Sequence, residues 1–163
     1  MRFRLFVFRA IAPKMLMEDK NLVLANLLVA AILTGLIWTI QLVHYPSFRH
    51  VGVAHFVEFQ HRHMRNILYL VAPLMLIEIF LAVCLQVSVT EKSTILEVTF
   101  ASGLLFLIWV VTFAISSPIH GQLATQGFDD ALISKLVTTN WIRTIAWTFR
   151  TVLLTVIMFK VWN

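Results

Sequence analysis

The residues of this chain best suited to chemistry are its six histidines, His44, His50, His55, His61, His63 and His120. Neutral imidazole is the commonest metal ligand, and imidazole combined with carboxylate suits iron, copper, zinc or manganese. His44, His120, Glu58 and one of His61 and His63 form a candidate metal set. Glu58-Phe59-Gln60-His61 has the Glu-x-x-His form found in carboxylate-bridged metal sites of helical bundles, with both ligands on one helix face. His61 and His63 stand about 200° apart on an ideal helix, so only one of them can face inward. Haem held by two histidines from different helices is a second possibility, with His44 and His120 the natural pair. The chain has no Cys-x-x-Cys-His, so such a haem would be non-covalent. The plainer alternative puts these histidines at lipid headgroup level, solvated or bonded to backbone.

Three further groups, Asn140, Arg143 and Arg150, are candidate catalytic residues. Arg143 and Asn140 would orient a substrate oxygen, with Arg150 lining the floor of the site. Arg150 also has a structural reading, a buried ion pair with Glu78. Gln41, Trp38, Trp109 and Trp147 are candidate substrate-binding residues, lining a pocket for a flat apolar molecule. Tryptophans in such positions also serve as interfacial anchors.

The elements that must carry these residues are set by composition. The chain has 163 residues, 60% hydrophobic and 13% charged, with a mean hydropathy of +0.86. A soluble domain is nearer half apolar and a quarter charged, so lipid is the expected solvent. Four apolar stretches, about 21–43, 66–88, 98–117 and 141–162, reach the ~20 residues needed to cross a bilayer as helix. Lipid offers no hydrogen bonds, and the alternation of barrel strands is missing, so the spans are expected to be helices. The fold expected is an all-α transmembrane four-helix bundle, with short interfacial helices in the two outer loops.

Connectivity then places the chemistry. In a four-span chain the first and third connections emerge on one side, so all six histidines share one membrane face. Spacings of three and four residues align Thr34, Trp38, Gln41 and His44 on one span. Trp109, Thr112, Ser116 and His120 align on another, and Asn140, Arg143, Trp147 and Arg150 on the last. The simplest packing turns these stripes inward around a shared cavity, because ionisable groups in a span are costly and usually face the bundle interior.

Residues 1–20 carry Arg2, Arg4, Arg9, Lys14 and Lys20 and read as a basic interfacial lead-in rather than a signal peptide. The positive-inside rule puts both termini in the cytoplasm, in what is expected to be a bacterial inner membrane. A net charge of +5 sits beside the spans, where it suits anionic lipid rather than nucleic acid. Cys84 is the single cysteine and allows no internal disulfide. Phosphate loops, nucleophile elbows and His-Glu-x-x-His are absent, which removes support for ATP-driven transfer and for hydrolysis.

Gln41-x-x-His44-Tyr45-Pro46, Pro118-x-His120-x-x-Leu123 and Asn140-Trp141-x-Arg143-Thr144-x-x-Trp147-x-x-Arg150 resemble a pattern of small bacterial four-span proteins of unknown function. More distantly, the layout resembles the anthrone oxygenase-like membrane proteins. The resemblance implies an oxidative role on an apolar, aromatic type of substrate and carries over His44, His120, Asn140, Arg143 and Arg150. The cluster from His55 to His63 has no counterpart in it. The expected function is a membrane-embedded oxidoreductase acting on a hydrophobic molecule at a metal-binding, histidine-rich site. The alternatives are a haem-binding protein or a non-catalytic accessory subunit, associated with other membrane subunits or with further copies of itself.

Overall fold

The computed structural model describes residues 19–162. The basic lead-in expected over 1–20 lies almost wholly outside the described residues. Helix α1 spans Asp19–Thr39, α2 Phe56–Ser88, α3 Lys92–Val111, α4 Ser117–Gln126 and α5 Asp130–Trp162. No strand occurs among the described residues, and the architecture is an all-α four-helix bundle. Four continuous helical stretches, of 31, 36, 33 and 33 residues, are long and apolar enough to cross a membrane. The large side chains on the outer surface are mostly apolar, among them Leu28, Leu68, Phe80, Phe106 and Phe149. That surface is what a lipid-facing bundle presents, and it fits an integral membrane protein.

Two of these stretches change winding at matching places. A π-helical turn, Ile40–His44, follows α1, closed by Tyr45 N–H donating to Ile40 C=O. Another, Thr112–Ser116, joins α3 to α4, closed by Ser117 N–H donating to Thr112 C=O. Each precedes an X-Pro pair, Tyr45-Pro46 and Ser117-Pro118. Proline lacks an N–H, and its ring clashes with the carbonyl four residues back in an α-helix. A wider turn just before it relieves the clash and lets the helix go on. The later residues, including Tyr45 and His120, are re-aimed as a result.

The short interfacial helices expected in the outer connections are not confirmed as such. The segment from Phe56 to Arg65 is continuous with the second span, because nothing between Phe56 and Asn66 breaks a helix. The segment after Gly127 is likewise the first part of α5. Gly127 has φ +89°, a left-handed conformation that favours glycine and ends α4. Asp129 then accepts from Leu132 N–H at 3.0 Å, capping α5 as its type and position suggest.

Helix α5 is the packing centre and lies against both α1 and α3, while α2 packs mainly on α1 and α4. One apolar cluster, with Leu22, Val23, Leu85, Val98, Leu154 and Ile157, closes the end opposite the histidines. The other, built on Phe48, Phe56, Ile108, Leu123 and Trp147, lies towards the histidine end. Helices α2 and α3 make less contact with each other than either makes with its other neighbours. The space left on that side is a cavity.

Candidate functional site

The cavity has a volume of about 640 Å³ and is lined by α1, α2, the α3–α4 segment and α5. Its walls are overwhelmingly apolar, from Leu33, Ile37 and Ile40 across to Met64, Met75 and Leu76. Lining residues Leu68, Leu76 and Phe113 are themselves 58–63% exposed, so the cavity opens sideways between α2 and α3, towards the lipid-facing surface. Ligand sites are usually of this size and mostly apolar, with a few placed polar groups. Here those groups include Tyr45, Trp109, Thr112, Ser116, His120 and Arg143.

Arg143 is the charge at the heart of the site, and only 7% of its surface is exposed. It donates to Tyr45 Oη at 3.1 Å, to Thr112 Oγ1 at 3.4 Å and to Asn140 Oδ1. All three partners are neutral. No carboxylate among the described residues pairs with it, and no acidic residue lines the cavity. Its Nε has no partner at all. Asn140 in turn donates to Gln41 Oε1 at 2.8 Å, and Gln41 donates to the Val137 carbonyl at 3.1 Å. Gln41 and Asn140 therefore hold Arg143 in place without lining the cavity.

On the far side of Tyr45 stands His120, whose Nε2 is 3.0 Å from Tyr45 Oη. Its Nδ1 is 2.7 Å from Gln60 Nε2. His63 packs against His120 with ring centroids 5.2 Å apart and against His44 at 4.7 Å. His44 Nε2 and His63 Nδ1 are 2.9 Å apart. Of the pair left open by helical geometry, His63 is the inward one and His61 is exposed. The buried face of this part of α2 carries Phe56, Gln60 and His63, four and three residues apart. Glu58 and His61 fall on the opposite face, where Glu58 pairs with Arg62 at 2.7 Å.

The donor set expected for a metal is thus divided. His44, His63 and His120 come together, while Glu58 and His61 do not. Both ring nitrogens of His120 are engaged by Tyr45 and Gln60. No three His, Cys, Asp or Glu side chains among the described residues are grouped to hold a metal ion. The pair expected for haem, His44 and His120, has His63 packed against both rings, which leaves no slot for a porphyrin between them. The arrangement is a hydrogen-bonded network in which the buried His63 Nε2 is left without a partner.

Arg150 lies deeper and does not line the cavity. Its Nε donates to Glu78 Oε1 at 2.9 Å, with both side chains at most 1% exposed. It also donates to the Ala101 carbonyl at 3.0 Å and to Asn26 Oδ1 at 3.4 Å. Trp147 Nε1 donates to Glu78 Oε2 at 3.2 Å, and Asn26 donates to the Leu81 carbonyl at 3.0 Å. One polar knot therefore ties α1, α2, α3 and α5 together. The stripe on α1 is also mainly structural. Thr34 bonds Thr151 at 2.8 Å, and Trp38 donates to Thr148 at 3.0 Å while its ring packs edge-on to Trp141. Trp109 and Trp147 do line the cavity, and Trp38 and Gln41 do not.

Tyr45 and Gln60 are the site residues that type and spacing alone did not single out. Tyr45 follows His44 in sequence, and the π turn before it re-aims this part of the chain. The X-Pro signal at Tyr45-Pro46 was the available clue. Comparison with protein-family models, characterised proteins and solved structures returns no match. The class is therefore defined by the molecule itself: a four-helix bundle of membrane-crossing dimensions with a lateral apolar cavity and an uncompensated arginine at its polar end.

Proposed function

We propose that this protein is a membrane-embedded oxidoreductase that draws a hydrophobic, oxygen-bearing molecule from the bilayer into the cavity and positions its oxygen against Arg143. The observation that carries this reading is the buried Arg143, facing an apolar cavity with no carboxylate to neutralise it. A buried cation without a counter-ion is costly, so the missing charge is best supplied by the ligand. The oxidative class comes from the resemblance to anthrone oxygenase-like proteins and from the apolar walls, which suit a flat ring system. Oxygen uptake and absorbance change with menadiol, in liposomes carrying the purified protein, test the reading. Turnover above protein-free liposomes is expected, reduced at least ~10-fold by Arg143→Gln, the cost of losing a charge-assisted contact. Turnover equal to empty liposomes would remove the oxidoreductase assignment.

A metal-dependent form of the same reading is supported by one feature, the buried His63 Nε2 with no partner beside His44 and His120. Binding there would require the histidines to exchange their present hydrogen bonds for the metal. Stoichiometric iron, copper or zinc that disappears in His63→Ala would establish it; a metal-free preparation with menadiol turnover would exclude it.

A further inference from the structure

The hydrogen atoms around Tyr45 can be assigned by counting donors. Gln60 Nε2 carries two, and with the amide placed as it is, its Oε1 without a partner, it lies 2.7 Å from His120 Nδ1 and 3.5 Å from the His120 carbonyl, both of which can accept. His120 Nδ1 is then an acceptor, so a neutral imidazole keeps its single proton on Nε2. That N–H points at Tyr45 Oη, 3.0 Å away. Arg143 can only donate, and its Nη2 reaches the same oxygen at 3.1 Å. Two donors therefore converge on Tyr45 Oη, and the hydroxyl's own proton is left without an acceptor among the described residues. Tyr45 is 4% exposed and lines the cavity, so the cavity is where that acceptor must come from.

A second set of atoms points the same way. Trp109 Nε1, Ser116 Oγ and Arg143 Nε are all buried without a hydrogen-bond partner, and all three residues line this cavity. Buried polar groups are nearly always satisfied, and a cluster of exceptions needs a reason. Trp109 Nε1 and Arg143 Nε are donors only. The residues that line the cavity thus carry unused buried N–H and O–H groups and no carboxylate, which suits a molecule carrying oxygens.

We infer that Tyr45 is a catalytic residue of the cavity, exchanging its hydroxyl proton with an enolic or phenolic oxygen of an apolar ligand that also carries a carbonyl. This rests on the proposal that the cavity is the substrate site. In the exchange the Tyr45 O–H bond breaks as an O–H bond forms on the ligand oxyanion. The negative charge then passes from ligand to Tyr45 Oη, beside the Arg143 guanidinium and the His120 N–H. The reverse step returns the proton to Tyr45 and restores the ligand oxyanion, the resting form of the complex. In that form the oxyanion accepts from the Tyr45 hydroxyl and has given its own proton to solvent. Trp109 and Ser116 bind the carbonyl, and Gln60 acts as a positioning residue that fixes the His120 tautomer. No electron transfer is part of this step.

The test uses 7-hydroxycoumarin, a flat molecule with one ionisable hydroxyl and one carbonyl, whose neutral and anionic forms absorb at different wavelengths. It is titrated into the full chain in detergent at a pH where the free dye is neutral. Menadione, which has no ionisable hydroxyl, serves as the second probe. The wild type is expected to bind the dye in its anionic form. Tyr45→Phe is expected to bind it within about 5-fold of the wild-type affinity, the worth of one hydrogen bond, but in the neutral form. Gln60→Leu is expected to bind a mixture of forms. Wild-type protein that binds the dye only as the neutral species overturns the inference. So does a Tyr45→Phe protein, folded by its melting curve, that keeps the anionic band. If menadione binds and the dye does not, the inference fails while the cavity reading survives. If neither binds, both fail.

Discussion

Helix α5 carries two buried arginines seven residues apart, Arg143 and Arg150, and their surroundings are opposite in kind. Arg150 has a carboxylate, a backbone carbonyl and an amide oxygen drawn from three other helices. Arg143 has a phenol, a threonine hydroxyl and an amide, and its Nε is left without a partner. The first is a closed set of interactions with no room for a ligand. The second is open towards a cavity of about 640 Å³. The same residue type thus serves assembly at one level of the bundle and, on the function proposed above, recognition at another, and the partner set decides which. Functional sites commonly carry such unsatisfied groups at a cost in stability.

Breaking the closed set should have the largest effect. Glu78→Gln leaves Arg150 buried and unpaired, which costs about 3–5 kcal/mol in comparable buried pairs. A melting temperature lowered by roughly 10 °C is expected for a chain of this size. Replacing both partners, Glu78→Leu with Arg150→Leu, should recover most of that loss, because a buried pair exchanged for apolar groups is often nearly neutral. A double variant as unstable as Glu78→Gln would show that the other bonds of the knot matter more than the ion pair.

The open set should respond the other way. Arg143→Gln removes an uncompensated charge, so melting should stay within about 1 kcal/mol of wild type or rise. Affinity for 7-hydroxycoumarin should fall ~10-fold or more. A smaller effect is expected from Trp109→Phe, which removes one donor and keeps the ring: about a 5-fold loss of dye affinity. Equal binding by Trp109→Phe and wild type would take Trp109 out of the carbonyl-binding role. The smallest effect belongs to Glu58→Ala and His61→Ala. Both residues are exposed, so stability should move by no more than about 0.5 kcal/mol. Dye binding and any metal content should not change, and loss of either would mean that the exposed face of α2 takes part in the site.

Much of this division was present in the sequence, and the part that was not has a physical cause. Four apolar stretches fix the bundle because lipid leaves the backbone no partner but itself. The stripe from Trp109 to His120 converges on the cavity as its spacing suggests. The pairing of Arg150 with Glu78 was one of two readings that a span sequence alone leaves open, since relative depth across helices depends on packing. Which of His61 and His63 faces inward depends on how α2 is rotated about its axis, and that rotation is set by Phe56 and Gln60 packing inside. Tyr45 follows a π turn that a regular 3.6-residue period does not describe, so its place beside Arg143 was hidden. The stripe on α1 was legible as a stripe, but its partners on α5 show that polar residues aligned on a helix can be interhelical contacts rather than cavity lining.

The most direct test of the contrast between the two arginines is one set of thermal melts in detergent: wild type, Arg143→Gln and Arg150→Gln, each with and without saturating 7-hydroxycoumarin. The expected result is a division of roles. Arg150→Gln should melt well below wild type and still be stabilised by the dye, whereas Arg143→Gln should melt near wild type and gain nothing from it. If Arg143→Gln keeps the full dye-induced shift, or if its melting falls as far as that of Arg150→Gln, Arg143 is a second structural tie rather than the ligand's anchor.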